Sequence, residues 1–123
     1  MAATDPDQAT PLDVQHLRRY TEGDEDLERQ LFGMFFPDAD VHLQTMSSAE
    51  TDEIWHRSAH GLKGAARGLG AWEVAGLAED AEAMVGGATE GRAGHLERMR
   101  AALARLRVVV EDLLGAVEPP AGD

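Results

Sequence analysis

From Leu96 to Val117, the apolar residues Leu96, Met99, Leu103, Leu106, Val110, Leu113 and Val117 alternate three and four residues apart without a slip. This is the narrow seam of antiparallel helix packing, and the two-residue period of a strand cannot produce it. It predicts a last helix over 92–117. The β-branched run Val108-Val109-Val110 lies inside that pattern, so helix wins there too. Elsewhere no alternating stretch bounded by turn residues suggests a strand. A seam this long must be covered, so the rest of the chain is read for its partners.

Four further helices are predicted. A short first one spans about 12–20, and Gly23 and Asp24 break it and cap the next. The second spans about 25–49, with Phe32, Phe35, Ala39, Leu43 and Met46 at three-four spacing and the Phe32, Phe35 and Phe36 cluster in the core. Pro37 removes a backbone bond in its middle, so a kink or a break into two helices is expected, eased by Gly33 four residues back. The third runs 52–69, with Asp52 as its N-cap and Gly70 closing it. The fourth runs 71–85 on a stripe of Val74, Leu77, Ala78, Ala81, Met84 and Val85, and stops at Gly86-Gly87. Short loops between amphipathic helices imply an all-α, antiparallel up-down four-helix bundle, with the short N-terminal helix as a lid. The expected organisation is a flexible leader over 1–11, the bundle over 12–118 and a flexible tail over 119–123.

Charge narrows the partners. The formal net charge is −12, from 11 basic and 23 acidic side chains, which argues against nucleic acid or an anionic membrane surface. Cysteine is absent, so there is neither a disulfide framework nor thiol chemistry. No apolar run is long enough to suggest a membrane span or a signal peptide. A cytoplasmic monomer is expected.

On a wheel at about 100° per residue, Trp55, Ala59, Leu62, Ala66 and Leu69 of the third helix fall together and face the core. His56, Arg57, His60, Lys63, Gly64 and Arg67 fall on the far side. Lys63 is the only lysine; the other ten cations are arginine. Arginine grips phosphate as a planar fork, whereas lysine is a mobile point charge. An exposed imidazole at His60 with that charge three residues on suits a phosphoryl group carried on the ring. Gly61, Gly64 and Gly68 flank the same face. Each glycine costs roughly 1 kcal/mol relative to alanine in a helix, a cost explained by close approach of a partner's backbone. With Arg57, Lys63 and Arg67 against Asp52 and Glu53, the patch reads as near neutral or positive on an acidic protein.

Other uses of these residues are weaker. His56 and His60 stand four apart, as zinc ligands can, but Arg57 occupies the place where zinc proteases need glutamate, and Lys63 repels a cation. No metal site is therefore expected. His16, His42 and His95 read as plain surface residues, and Arg98, Arg100, Arg105 and Arg107 as a solvated face of the last helix.

The run His60-Gly61-Leu62-Lys63-Gly64, continuing to Leu69-Gly70 and then to Leu77 and Glu82, resembles the histidine phosphotransfer (HPt) domains of multistep phosphorelays. The resemblance spans about 12–117 and is most specific from Ala59 to Glu82. It implies a four-helix bundle whose exposed histidine takes a phosphoryl group from a receiver-domain aspartate and passes it to another. On this resemblance His60 is the phosphorylated histidine and Lys63 the lysine beside the phosphoryl group. Gly64 is the small residue that admits the receiver, and Glu82 the carboxylate that touches the imidazole from the next helix. Arg67 and Gly68 depart from it, standing where small polar residues are common. His56, Arg57, Gly61, Gly64, Arg67 and Gly68 are the implied partner-binding set. The implied partners are response-regulator receiver domains and a hybrid sensor kinase.

The chemistry agrees with that assignment. Neutral imidazole is a nucleophile near pH 7 and forms covalent intermediates. Phosphoryl transfer needs in-line positioning and charge neutralisation above all, with Mg²⁺ expected on the partner receiver and no cofactor on this chain. His60 lies about ten residues before the Leu69-Gly70-Ala71 turn and Glu82 about twelve after it. At 1.5 Å per residue they stand at nearly one height, so Glu82 is placed to accept the Nδ1 proton. Autokinase activity is not expected, because no ATP-binding domain with glycine-rich loops is present. The alternative function is an adaptor that binds receivers without taking phosphate.

Overall fold

A computed structural model describes residues 10–117. It contains five helices: α1 (Val14–Thr21), α2 (Glu25–Ser47), α3 (Asp52–Leu69), α4 (Trp72–Glu82) and α5 (Arg92–Leu114). No strand occurs among the described residues. The leader and tail expected at the chain ends lie outside them, except for Thr10 and Pro11.

Local chemistry sets the helix starts. Asp13, Asp24 and Thr51 are the N-caps of α1, α2 and α3, and accept the backbone N–H three residues on at 3.0, 3.1 and 3.1 Å. Each satisfies a donor that the first turn leaves unpaired. Asp52 is therefore not the cap expected of it. It is the first residue of α3, and its carboxylate accepts instead from Gly86 N–H at 2.7 Å and from Arg92 at 2.9 Å. Arg92 also donates to the Met84 carbonyl and lies 4.3 Å above the Trp55 ring. These bonds tie the α4–α5 loop to the start of α3.

Three expected boundaries shift. α2 is one helix through Pro37, not a broken pair. Phe32, Phe35, Phe36 and Ala39 are buried on both sides of the proline, so tertiary packing offsets the lost bond. α4 stops at Glu82, short of the expected Val85. α5 stops at Leu114, where Gly115 adopts φ +81°. Past that point the three-four seam no longer applies. Leu114 is buried, Leu113 only partly so, and Val117 packs on the core after the helix has ended.

The helices pack α2 on α3, α3 on α4, α4 on α5 and α5 on α2, while α1 lies against α2 and α3. Trp55, Phe32, Leu17, Leu62, Met99 and Leu106 are the largest fully buried apolar side chains. Trp55 Nε1–H donates to the Ala81 carbonyl at 2.7 Å, which locks α3 to the last turn of α4. Gly70 sets the register between them. It closes α3 at φ +80°, and a Cβ there would lie 3.0 Å from the Asp13 carbonyl oxygen. Only glycine satisfies both conditions. Its own carbonyl accepts from Asp13 N–H at 2.9 Å, anchoring the start of α1 to the turn.

Histidines expected on the surface take part in packing. His95 is 3% exposed; its Nε2–H donates to the Leu77 carbonyl at 2.7 Å and its Nδ1 faces Arg98. Both ring nitrogens have partners, which is what permits burial. His16 stacks edge-on against Trp72, with centroids 4.9 Å apart. Of the arginines read as solvated, Arg98 meets His95, Arg105 chelates Glu73 and Arg107 lies over Phe36.

Candidate functional site

The buried stripe of α3 is the one the wheel places in the core: Trp55, Ala59, Leu62, Ala66 and Leu69. Its opposite face carries His60, with 67% of the side chain exposed. The two-residue turn brings the end of α4 alongside. His60 Nδ1 lies 3.1 Å from Glu82 Oε2, and Lys63 Nζ lies 2.5 Å from Glu82 Oε1. A carboxylate only accepts, so the Nδ1 of His60 carries the proton in this bond. In the neutral ring the unshared pair is then on Nε2, the nitrogen turned away from Glu82.

Glu82 and Lys63 are far less exposed than the imidazole they serve, at 14% and 16% of their side chains. Burial raises the Glu82 pKa, but the hydrogen bonds from Lys63 and His60 and the charges of both outweigh it. The net effect holds the carboxyl below its ordinary value. Glu82 is thus an anion at neutral pH in spite of its burial.

His56 joins the same cluster. Its Nδ1 lies 3.2 Å from the Glu82 carbonyl oxygen and its Nε2 3.7 Å from Glu82 Oε2. Its ring is nearly parallel to that of His60, with centroids 6.2 Å apart. Arg57 and Arg67 are on the exposed face but not free, since Arg57 pairs with Glu53 at 2.5 Å and Arg67 with Glu79 at 3.3 Å. Glu79 and Glu82 come from α4, which the charge count along α3 alone leaves out. With them the patch is near neutral, the lower end of the near neutral or positive balance read from α3 alone.

The three glycines separate into two kinds. A Cβ at Gly64 or Gly68 would meet nothing within 4 Å. A Cβ at Gly61 would lie 2.9 Å from His42 Cε1. Gly61 thus makes room for a side chain of α2, and His42 is an internal neighbour rather than the plain surface residue expected. Gly64 and Gly68 instead border an open groove of about 460 Å³, lined also by Tyr20, Leu31, Met34 and Phe35. Sequence reading misses Tyr20 and Met34. The available signal is that Met34 is a large apolar residue outside the buried stripe of α2, and it is 56% exposed.

Among the described residues no group of three or more His, Asp or Glu is arranged to hold a metal ion, and no helix is long and apolar enough to cross a membrane. No curated protein and no solved structure matches the chain. Residues 30–116 match the family model described as Hpt domain. That match contains the whole of the His56, His60, Lys63 and Glu82 cluster and covers well over half of the 123 residues. The chain therefore belongs to the Hpt domain family, whose role is histidine phosphotransfer with receiver domains in phosphorelays.

Proposed function

We propose that His60 is the phosphoacceptor. Its Nε2 attacks the phosphorus of a receiver-domain aspartyl phosphate, an N–P bond forms, the acyl O–P bond breaks, and the aspartate leaves as carboxylate. The same step in reverse, on a response regulator, discharges the histidine. One observation carries this reading: an exposed imidazole whose Nδ1 is held by a carboxylate at 3.1 Å, leaving Nε2 to the solvent side. Lys63 neutralises charge on the transferring group, and Glu82 fixes the tautomer. Mg²⁺ is assigned to the receiver. The receiver is placed over Gly64 and Gly68, with Arg57, Arg67, Tyr20 and Met34 at the margin of the docking surface and a hybrid sensor kinase as the upstream donor. The ring of contacts from α2 to α5 supports an antiparallel up-down four-helix bundle with α1 as its lid; a cytoplasmic monomer is part of the same proposal.

The test is incubation with a phosphorylated receiver. The expected product is an acid-labile, base-stable label on the wild type and none on His60→Gln, with the helical circular dichroism of the two proteins equal. Label persisting on another histidine of His60→Gln refutes the assignment. Receiver binding without any label on the wild type would favour the adaptor instead.

A further inference from the structure

We propose that His56 is a positioning residue that acts on His60 through Glu82 and makes their bond sensitive to pH. The inference rests on His60 being the reactive imidazole. His56 grips the final residue of α4 at two points. Its Nδ1–H donates to the Glu82 main-chain carbonyl at 3.2 Å, one of the acceptors a helix end leaves unpaired. A carbonyl cannot donate, so this contact fixes the proton on Nδ1 and leaves Nε2 facing the Glu82 side chain. The nearest carboxylate oxygen is Oε2, at 3.7 Å, and this is also the oxygen that accepts from His60.

The two protonation states of His56 therefore treat Glu82 differently. The neutral ring offers Oε2 no hydrogen, so His60 alone occupies that oxygen and its Nε2 stays unprotonated. A protonated ring presents an N–H to the same oxygen and competes with His60 for it. Lys63 already pairs with Oε1 at 2.5 Å, so a second imidazole N–H is directed to Oε2, where it shares that oxygen's negative charge with His60 and weakens their bond. The other charges around His56 are settled. Glu53 and Arg57 flank it on α3 and pair with each other, and Asp52 is committed to Arg92 and Gly86. From α4 the ionisable group facing it is Glu82. A proton added to His56 would therefore loosen the hold of Glu82 on His60 and slow transfer.

The experiment compares the wild type, His56→Asn and His56→Ala as full chains. Asparagine keeps a donor near the Nδ1 position but neither titrates nor reaches Oε2; alanine loses both contacts. Phosphoramidate serves as phosphodonor from pH 6 to 8.5. It is small enough to remove any docking role of His56, and its own ionisation cancels in variant-to-wild-type ratios. The ratio of the His56→Asn rate to the wild-type rate is expected to rise about tenfold from pH 8 to pH 6, the scale of one net hydrogen bond. His56→Ala is expected to lose about tenfold at pH 8. A His56→Asn rate that stays in constant ratio to the wild type across the range overturns the proposal. Long-range ¹H–¹⁵N spectra of the unphosphorylated proteins at pH 8 give a second readout that needs no phosphate. The Nδ1–H tautomer of His60 should dominate in the wild type and decline in His56→Ala. Equal tautomer populations also overturn it. Absence of phosphate uptake with the tautomer shift intact would instead count against His60 as phosphoacceptor.

Discussion

Gly64 and Gly68 offer the sharpest test of what the exposed face of α3 is for. Glycine inside a helix costs roughly 1 kcal/mol relative to alanine, because it loses more backbone freedom on folding. At Gly64 and Gly68 an added methyl would meet nothing within 4 Å, so nothing in the folded protein offsets that cost. Gly64→Ala should recover close to the full amount. Gly68, in the last turn before Leu69, should recover less. Together they should raise stability by about 1.5 to 2 kcal/mol, roughly 6 to 8 °C in Tm for a domain of this size. Gly61→Ala is the internal control. Its methyl would displace the His42 ring from 2.9 Å and with it the 3.4 Å contact of His42 with Asp38. The propensity gain is then spent on moving a side chain, and its Tm should change little or fall.

Thermal unfolding followed by circular dichroism measures all three. The same glycines should matter oppositely in binding. Gly64→Gln places a long side chain in the open groove beside His60, and its affinity for a receiver should fall by about tenfold, or roughly 1.4 kcal/mol. A Gly64→Ala protein no more stable than the wild type would refute the stability argument. A Gly64→Gln protein that binds a receiver with unchanged affinity by calorimetry would refute the docking argument.

Lys63→Ala should slow phosphoryl transfer by one to two orders of magnitude, roughly 1.4 to 2.7 kcal/mol of barrier, and Lys63→Arg should restore only part of it because a planar fork replaces a point charge; a wild-type rate for Lys63→Ala sinks this role. Acid should unfold the protein through specific carboxyls. The Trp72 and His16 N–H groups lower the pKa of Asp13, the Gly86 N–H and Arg92 lower that of Asp52, and Lys63 and His60 lower that of Glu82 against its burial. A carboxyl held lower in the folded state binds fewer protons there than in the unfolded chain. Its contribution is thus complete above the unfolded value of about 4 and is lost as pH falls through the folded one. Tm should be level from neutral pH to about pH 5 and drop below about pH 4, and Asp13→Asn should make that drop shallower. An identical acid limb in Asp13→Asn contradicts the assignment.

The limits of α3 and the face it turns outward were legible because both follow from local chemistry. A glycine stop and an unbroken apolar stripe need no knowledge of the rest of the fold, whereas the cap is Thr51, one residue before the Asp52 expected, because Asp52 is drawn to Gly86 and Arg92 from the α4–α5 loop. The height of Glu82 was legible for a related reason, since a turn as short as Gly70-Ala71 leaves one register for two helices. What stayed hidden depends on contacts between residues far apart in sequence. His95 is polar and sits beside an apolar seam; the Leu77 carbonyl on another helix, together with Arg98, makes its burial tolerable. Gly61 looks the same as Gly64 in sequence until His42 arrives from α2. Lys63 reads as a free charge because its partner is nineteen residues on, beyond the turn.

That pairing bears on how the site works. A lysine beside an exposed histidine is usually imagined waiting for phosphate, yet here it is bonded to the carboxylate that holds the imidazole. On the proposed function, Lys63 would therefore have two tasks that compete. While it pairs with Glu82 it keeps that group ionised in spite of burial, and so keeps the Nδ1 proton of His60 in place. When a phosphoryl group reaches Nε2, a second anion appears on the other side of the same ring. The ammonium, on a flexible stem and with three donors, can be shared between the two; a guanidinium fork locked onto one carboxylate cannot shift so readily. On that proposal the only lysine in a chain of arginines stands where one cation would serve two anions in turn. Lys63→Arg should accordingly preserve the Glu82–His60 bond and its tautomer, as read by ¹⁵N spectra, while slowing transfer. If Lys63→Arg instead disrupts the tautomer and the rate together, the two tasks are not separable and the shared-cation account fails.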